Sequence, residues 1–332
     1  MRAIIKHPAF EKGRLALSRA LDTRMRGQII FVVGMSGIGK SEIRYDAIKS
    51  IAGPPETWTA GQIPVIPVRA TPTDRSTFSP KEFITRLYLA FFEPDFSWAV
   101  RRADVGDSNE VHAHMDERLA CTFGLDMRAK RTEHQMRTYV ERMAPIRGLR
   151  AIFIDEAASL TYTHPSKRPV DHMINYMCLA EEIGITLVLF GVPRVAALWE
   201  GDAEILRRSR FVFIDRYRHD KKDDLKSFER LATMIAKEYP FSRFSLVNRT
   251  LDLAYASSAG VFGEINAFYR RADDLRAIDG CSSICRRHLE GAVSNAATLA
   301  TLHAEAALFD SLRTPADAAT ICRLFNDERG RR

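Results

Sequence analysis

Long apolar runs are missing from this 332-residue sequence. The longest, such as "ITLVLFGV" at 185–192, fall well short of the roughly 18 residues a membrane-crossing helix needs, so no membrane partner is expected. Cysteine is scarce. Five residues spread from Cys121 to Cys322 make no disulfide framework and fit a reducing, cytoplasmic setting. Cys281 and Cys285 could share a helix face, but no second Cys or His pair stands at ligand spacing, which argues against zinc. His112 and His114 lack a third ligand and read as surface residues. The basic N-terminus has neither an apolar core nor a small-residue cleavage site, so no secretory leader is expected. Internal repeats and low-complexity tracts are also absent.

What is present is a chain with 46% hydrophobic residues, ample for a buried core. Five short runs read as strands: 28–33, 63–68, 149–154, 185–190 and 210–214. They are near-continuous rather than alternating, the pattern of strands buried on both faces of a parallel sheet. Helical patterns separate them near 41–51, 79–92, 129–143, 169–182 and 194–199, which predicts an open α/β fold. After Ile214 the spacing becomes helical. The expected organisation is an N-terminal helical segment (1–27), an α/β core (28–216), a helical domain (217–310) and a tail (311–332). The tail holds one short helix, "DAATICRLF", before a disordered end. Residues 93–127 are too long for an ordinary connection and read as an insertion. Trp58, Trp98 and Trp199 read as packing residues.

The net charge of +7 favours an acidic partner. It is concentrated: 128–150 carries Arg128, Lys130, Arg131, Arg137, Arg142, Arg147 and Arg150 against Glu133 and Glu141, and 207–222 carries seven Arg or Lys against Asp215 and Asp220. Both stretches are compatible with binding a phosphate backbone, and equally with solvated helix faces.

The most specific motif follows the first strand. Gly34-Met35-Ser36-Gly37-Ile38-Gly39-Lys40-Ser41 fits G-x-x-x-x-G-K-[ST]. Its glycines let backbone N–H groups point at the phosphates of a nucleotide, Lys40 neutralises their charge, and the Ser41 hydroxyl ligates Mg²⁺. The run "AIFIDEA" ends the third strand in Asp155-Glu156. One carboxylate can share the Mg²⁺ shell and the next can polarise an attacking water, the division that in-line hydrolysis requires. Asp155 is the expected metal partner and Glu156 the expected base.

The order of strand, P-loop, helix, strand, Asp-Glu strand, further strand, Arg-rich segment and helical domain resembles the AAA+ ATPases. The resemblance implies a five-stranded parallel sheet followed by a helical lid. It also implies ATP as the nucleotide, in keeping with the lack of an "NKxD" guanine-reading segment. Such proteins carry a polar sensor at the tip of the fourth strand, where this sequence has Val192, with Arg194 within reach. They also place an arginine before the fifth strand that completes a neighbouring subunit's site. "EILRRSRF" offers Arg207 or Arg208, with Arg210 assigned to the strand. The lid's G-x-x-R pattern reads Gly263 to Asn266 here, so Arg270 or Arg271 must substitute or the sensor is lost.

A narrower resemblance covers roughly residues 4–272. "IKHPAFEKGRLALSRAL", "VRATPTDRSTFSPKEFITRLYLAFFEP" and "SSAGVFGEINAFYRRA" look like the TniB and TnsC group, the ATP-dependent target-selection regulators of transposons. It implies a homo-oligomeric ring or filament on double-stranded DNA. That assembly would link a TniQ-type target selector to the transposase and come apart on hydrolysis. The expected DNA contacts are to the backbone, from Arg101, Arg102, Arg128, Lys130 and Arg131. Alternatives are a STAND-type scaffold ATPase or another AAA+ remodeller that does not act on DNA.

Overall fold

Each apolar run becomes a strand because β-branched and aromatic residues pack on a pleated surface covered on both sides. In the computed structural model, which describes residues 7–72, 77–98, 132–164 and 167–330, the strands are β1 (Ile29–Val33), β2 (Val65–Arg69), β3 (Ala151–Asp155), β4 (Thr186–Gly191) and β5 (Ser209–Phe213). They form one five-stranded sheet in the order β2-β3-β4-β1-β5, every pairing parallel. β1 and β4 are buried along their whole length. The edge strands β2 and β5 are only partly so.

The helices of this part are α1 (Pro8–Asp22), α2 (Lys40–Ala52), α3 (Pro80–Leu89), α4 (Glu133–Ile146), α5 (Pro169–Ile183) and α6 (Ala203–Arg208). Their starts follow local chemistry. The Ser79 hydroxyl accepts from Glu82 N–H with Pro80 in the first turn, and Thr132 and Gln135 form a reciprocal capping box. The segment expected as a helix at 194–199 is a 3-10 helix over Pro193–Leu198. Trp98 and Trp199 are buried and Trp58 meets Phe96 and Trp98 with tilted rings, so all three tryptophans pack as the sequence indicated.

Beyond β5 come α7 (Lys222–Ala236), α8 (Phe244–Arg249), α9 (Leu251–Ser258), α10 (Phe262–Ile278), α11 (Arg286–Gly291), α12 (Ala296–Ser311) and α13 (Ala318–Gly330). The last is helical through Gly330, beyond the "DAATICRLF" stretch. Two apolar clusters result. Phe228, Leu231, Ile235, Phe268 and Tyr269 centre the second, formed by the helices after β5. The first surrounds the sheet, and Ala306 and Phe309 of α12 belong to it. α12 follows the lid helices in sequence and packs its buried face on the core. Residues 99–131, which include the insertion's His112, His114 and Cys121, lie outside the described residues, as do residues 73–76 of the "VRATPTDRST" stretch.

Among the described residues no helix is long and apolar enough to cross a membrane.

Candidate nucleotide site

The P-loop leaves the sheet at its most buried point. Gly34 N–H, next after β1, donates to Gly191 O of β4 at 3.2 Å. Met35 and Ile38 anchor the loop, each 1% exposed, while Ser36, Gly37 and Ser41 face solvent. Gly37 at φ 74° and Gly39 at φ 100° take the left-handed conformations that turn the chain into α2 at Lys40. The first turn of α2 therefore presents unpaired N–H groups and the positive end of the helix dipole. Lys40 Nζ folds back and donates to Gly34 O at 2.7 Å and Met35 O at 2.8 Å. Burial pulls its pKa down to about 8, while Glu305, Glu156 and Asp155, in that order, act to raise it.

The lid meets this loop through a backbone hydrogen bond. Gly263 N–H in the first turn of α10 donates to Gly37 O at 3.0 Å, and a Cβ on Gly263 would meet that oxygen at 2.7 Å. Glycine at both positions is what permits the approach. The start of α10 is held from beneath by His7, whose ring stacks on Phe262 at 5.5 Å. His7 Nδ1 accepts from Tyr217 O–H at 2.9 Å and caps α1 by accepting from Phe10 N–H. Burial depresses the His7 pKa to about 4, with Glu11 opposing, as suits a neutral ring with an acceptor nitrogen.

Asp155 ends β3 opposite Arg69 of β2. Its Oδ1 accepts from Glu156 N–H at 3.0 Å, and its Oδ2 pairs with Arg44. Arg44 lies four residues after Lys40, so both project from one side of α2. Glu156 adopts a left-handed backbone, φ 52° and ψ 38°, which costs a non-glycine residue about 1 kcal/mol or more and clusters at functional sites. Its Oε1 accepts from Arg69 Nη2 at 3.4 Å, and Arg69 O in turn accepts from Arg86. Both expected hydrolytic carboxylates are thus engaged by arginines.

Val192 begins the turn after β4, and Arg194, two residues on, lies over the Tyr162 ring at 4.5 Å. Before β5, Asp202 caps α6 by accepting from Glu204 N–H and Ile205 N–H. Arg208 pairs with Glu181 and with Glu204. Arg207 is exposed and has no ion pair among the described residues. Arg210 sits in β5 and donates to Thr23 Oγ1. In the lid, Arg271 Nε donates to Ala292 O at 3.0 Å and is committed there, Arg270 is exposed, and Asn266 Oδ1 accepts from Tyr239 O–H at 2.7 Å.

Arg101, Arg102, Arg128, Lys130 and Arg131 lie outside the described residues. Elsewhere the two basic stretches are largely paired internally. Arg137 binds Glu141, Arg147 and Arg150 donate to backbone carbonyls, Arg216 pairs with Asp310 and Arg218 with Asp220. Much of the local positive charge therefore organises the fold.

Four contributors were not picked out from sequence. Arg44 had a signal in its spacing from Lys40, and Arg69 one in ending the strand beside Asp155. His7 lies within the "IKHPAFEKGRLALSRAL" segment, where nothing local marks its contacts. Glu305, on α12, acts on Lys40 from the far end of the chain, and burial raises its own pKa against the pull of Lys40 and Arg194.

The sequence matches the AAA domain family over residues 23–198, more than half of the chain. No curated protein matches it. Among solved structures it is similar to a Walker-type ATPase of Pyrococcus abyssi, with 12% identity, a TM-score of 0.46 and coverage of 81% of this chain and 70% of that one. It is also similar to the ORC2 protein of Aeropyrum pernix, at 12% identity, TM-score 0.47 and coverage of 89% and 70%. The RuvB Holliday junction branch migration motor of Thermotoga maritima gives 12% identity, TM-score 0.40 and coverage of 86% and 67%.

Proposed function

The chain belongs to the AAA domain family, and on that premise we propose that it is an ATP-dependent regulator of DNA transposition that oligomerises on double-stranded DNA. The observation that carries the reading is the convergence of the Lys40 loop with Asp155 and Glu156 at the carboxyl ends of β1 and β3, together with an exposed Arg207, without an ion pair among the described residues, in the segment before β5.

In this reading residues 34–41 cradle the phosphates of ATP. Lys40 leaves its two carbonyl partners to meet them. Ser41 and Asp155 fit Mg²⁺: both offer hard oxygen donors, and the described residues hold no cluster of three or more His, Cys, Asp or Glu that would favour an all-protein metal cage. When bound, the ion would neutralise charge on the phosphates. Asp155 must then exchange Arg44 for the ion. Glu156 accepts a proton as water attacks the terminal phosphate, the new P–O bond forming as the bond to the ADP oxygen breaks. To do so it must leave Arg69. Arg207 of a neighbouring copy supplies positive charge to the departing phosphates, whereas Arg208 holds its own subunit together through Glu181 and Glu204.

DNA binding rests on the charge of the sequence and on the resemblance to the TniB and TnsC group. Arg101, Arg102, Arg128, Lys130 and Arg131 are the proposed contacts, to the phosphate backbone and without base readout. A few such contacts per subunit, multiplied along a ring or filament, give avidity. The transposase and a TniQ-type selector are the proposed protein partners, and hydrolysis is proposed to dissolve the assembly.

The test is size-exclusion chromatography with a non-hydrolysable ATP analogue, a duplex of arbitrary sequence, both, or neither. Large species that require both ligands are expected. Assembly at low salt that is indifferent to duplex contradicts the DNA reading and favours a protein scaffold.

A further inference from the structure

Helix α12 carries an acid in the wrong place for a structural helix. Its inward face includes Ala306 and Phe309, 2% and 0% exposed, with Leu302 and Leu312 packed on the same core cluster. Phe309 meets the Phe213 ring of β5 at 6.0 Å. The end of the helix is pinned where the chain leaves β5, through Arg216 with Asp310 and Asp215 with Arg313. Glu305 stands three residues after Leu302 and four before Phe309, which puts it on this same inward side.

One carboxylate oxygen of Glu305, Oε1, is buried with no hydrogen-bond partner among the described residues. Burying an unsatisfied polar group is costly and calls for an explanation. The cations acting on Glu305 are Lys40 of the P-loop and Arg194 of the turn after β4, and Glu264 at the start of α10 adds like charge. Glu305 is thus set beside the P-loop and the Pro193–Leu198 turn, on which α12 packs. It acts through space, because Lys40 Nζ is bonded to the carbonyls of Gly34 and Met35.

We propose that Glu305 is an affinity-setting residue of the nucleotide site, a built-in anion that opposes the terminal phosphate of a triphosphate and ties the seating of α12 to what the site holds. The proposal rests on the reading of residues 34–41 as an ATP site. Without nucleotide, the carboxylate compensates Lys40. A bound triphosphate brings its own charge to Lys40 and leaves the half-buried Glu305 as a like charge. The strain is relieved when α12 loosens from the core, and the contacts of Asp310 and Arg313 at the end of β5 loosen with it. A diphosphate meets less opposition because it lacks the terminal group.

The experiment uses full-length wild type, Glu305→Gln, Glu305→Ala and Lys40→Ala. Affinities for a fluorescent non-hydrolysable ATP analogue and for fluorescent ADP are measured, with amide hydrogen exchange over residues 296–311 in parallel. The expected result is that Glu305→Gln binds the analogue about tenfold tighter and ADP within about twofold of wild type. Exchange in α12 should rise with the analogue in wild type and stay flat in Glu305→Gln. If both Glu305 variants bind the analogue within about twofold of wild type and α12 exchange ignores nucleotide, the inference is overturned and the ATP site stands. If wild type does not bind the analogue, or Lys40→Ala binds it equally well, the ATP-site reading itself has failed.

Discussion

Replacing Gly263 by alanine probes the contact between lid and P-loop. The new methyl would lie 2.7 Å from Gly37 O and 2.8 Å from Gly37 Cα, where ordinary contact begins at 3.4 Å. Both obstacles are backbone, so no side-chain rotation relieves them and α10 must retreat by about 0.7 Å. The retreat stretches the Gly263 N–H bond to Gly37 O, now 3.0 Å. Losing that bond costs about 0.5–1.5 kcal/mol, and overpacking adds about 1–3 kcal/mol. Alanine returns at most about 1 kcal/mol through helix propensity. The net penalty is about 0.5–3.5 kcal/mol, and it falls on lid docking because the two apolar clusters are untouched. If all of it is felt by nucleotide, affinity drops by about twofold to a few hundredfold. Isothermal titration with an ATP analogue, with thermal melting alongside, reads the outcome. Binding within experimental error of wild type and an unchanged melting temperature would refute the reasoning.

Three further outcomes are expected. Glu156→Gln should keep ATP and DNA binding and trap the assembly on duplex; light scattering that decays at the wild-type rate after ATP is added would remove Glu156 from its role as base. His7 is held neutral by burial, with its pKa lowered from 6.5 to about 4. The unfolded chain therefore takes up the proton first, and stability contributed by the neutral ring is lost as pH falls from about 6.5 to about 4. Denaturant midpoints measured across that window should fall less steeply in His7→Gln than in wild type, and parallel profiles would count against the assignment. Arg208→Ala should lower the melting temperature through lost contact with Glu181 and Glu204, whereas Arg207→Ala should leave it unchanged; the reverse pattern would exchange their roles.

The strands were legible because each is an uninterrupted apolar run of the length a doubly covered strand needs, and the P-loop because few sequences place two glycines, lysine and serine at that spacing. Boundaries shifted by only one or two residues at the strands. Pro193 opens a 3-10 helix rather than an α-helix, with Val195, Ala196 and Leu198 buried. What stayed hidden depends on long-range geometry. The Arg69–Glu156 contact needs the β2–β3 register. Gly263 meets Gly37 only once the lid is docked. Glu305 reaches Lys40 because α12 returns to the core, and no local pattern marks a helix for one cluster rather than the other. Charge counts along the basic stretches likewise do not reveal that Arg208, Arg216 and Arg218 have acidic partners in the fold.

The central claim is an ATP site completed between subunits assembled on DNA, and mixing two inactive proteins tests it most directly. Glu156→Gln lacks the base but offers Arg207 to a neighbour, while Arg207→Ala keeps its own base and offers no arginine. Each alone should hydrolyse ATP at background rate in the presence of duplex. An equimolar mixture should recover about a quarter of wild-type turnover, because a head-to-tail assembly pairs a competent site with a competent neighbour at that frequency. A mixture as inactive as its components, or an Arg207→Ala protein active by itself, would contradict the account.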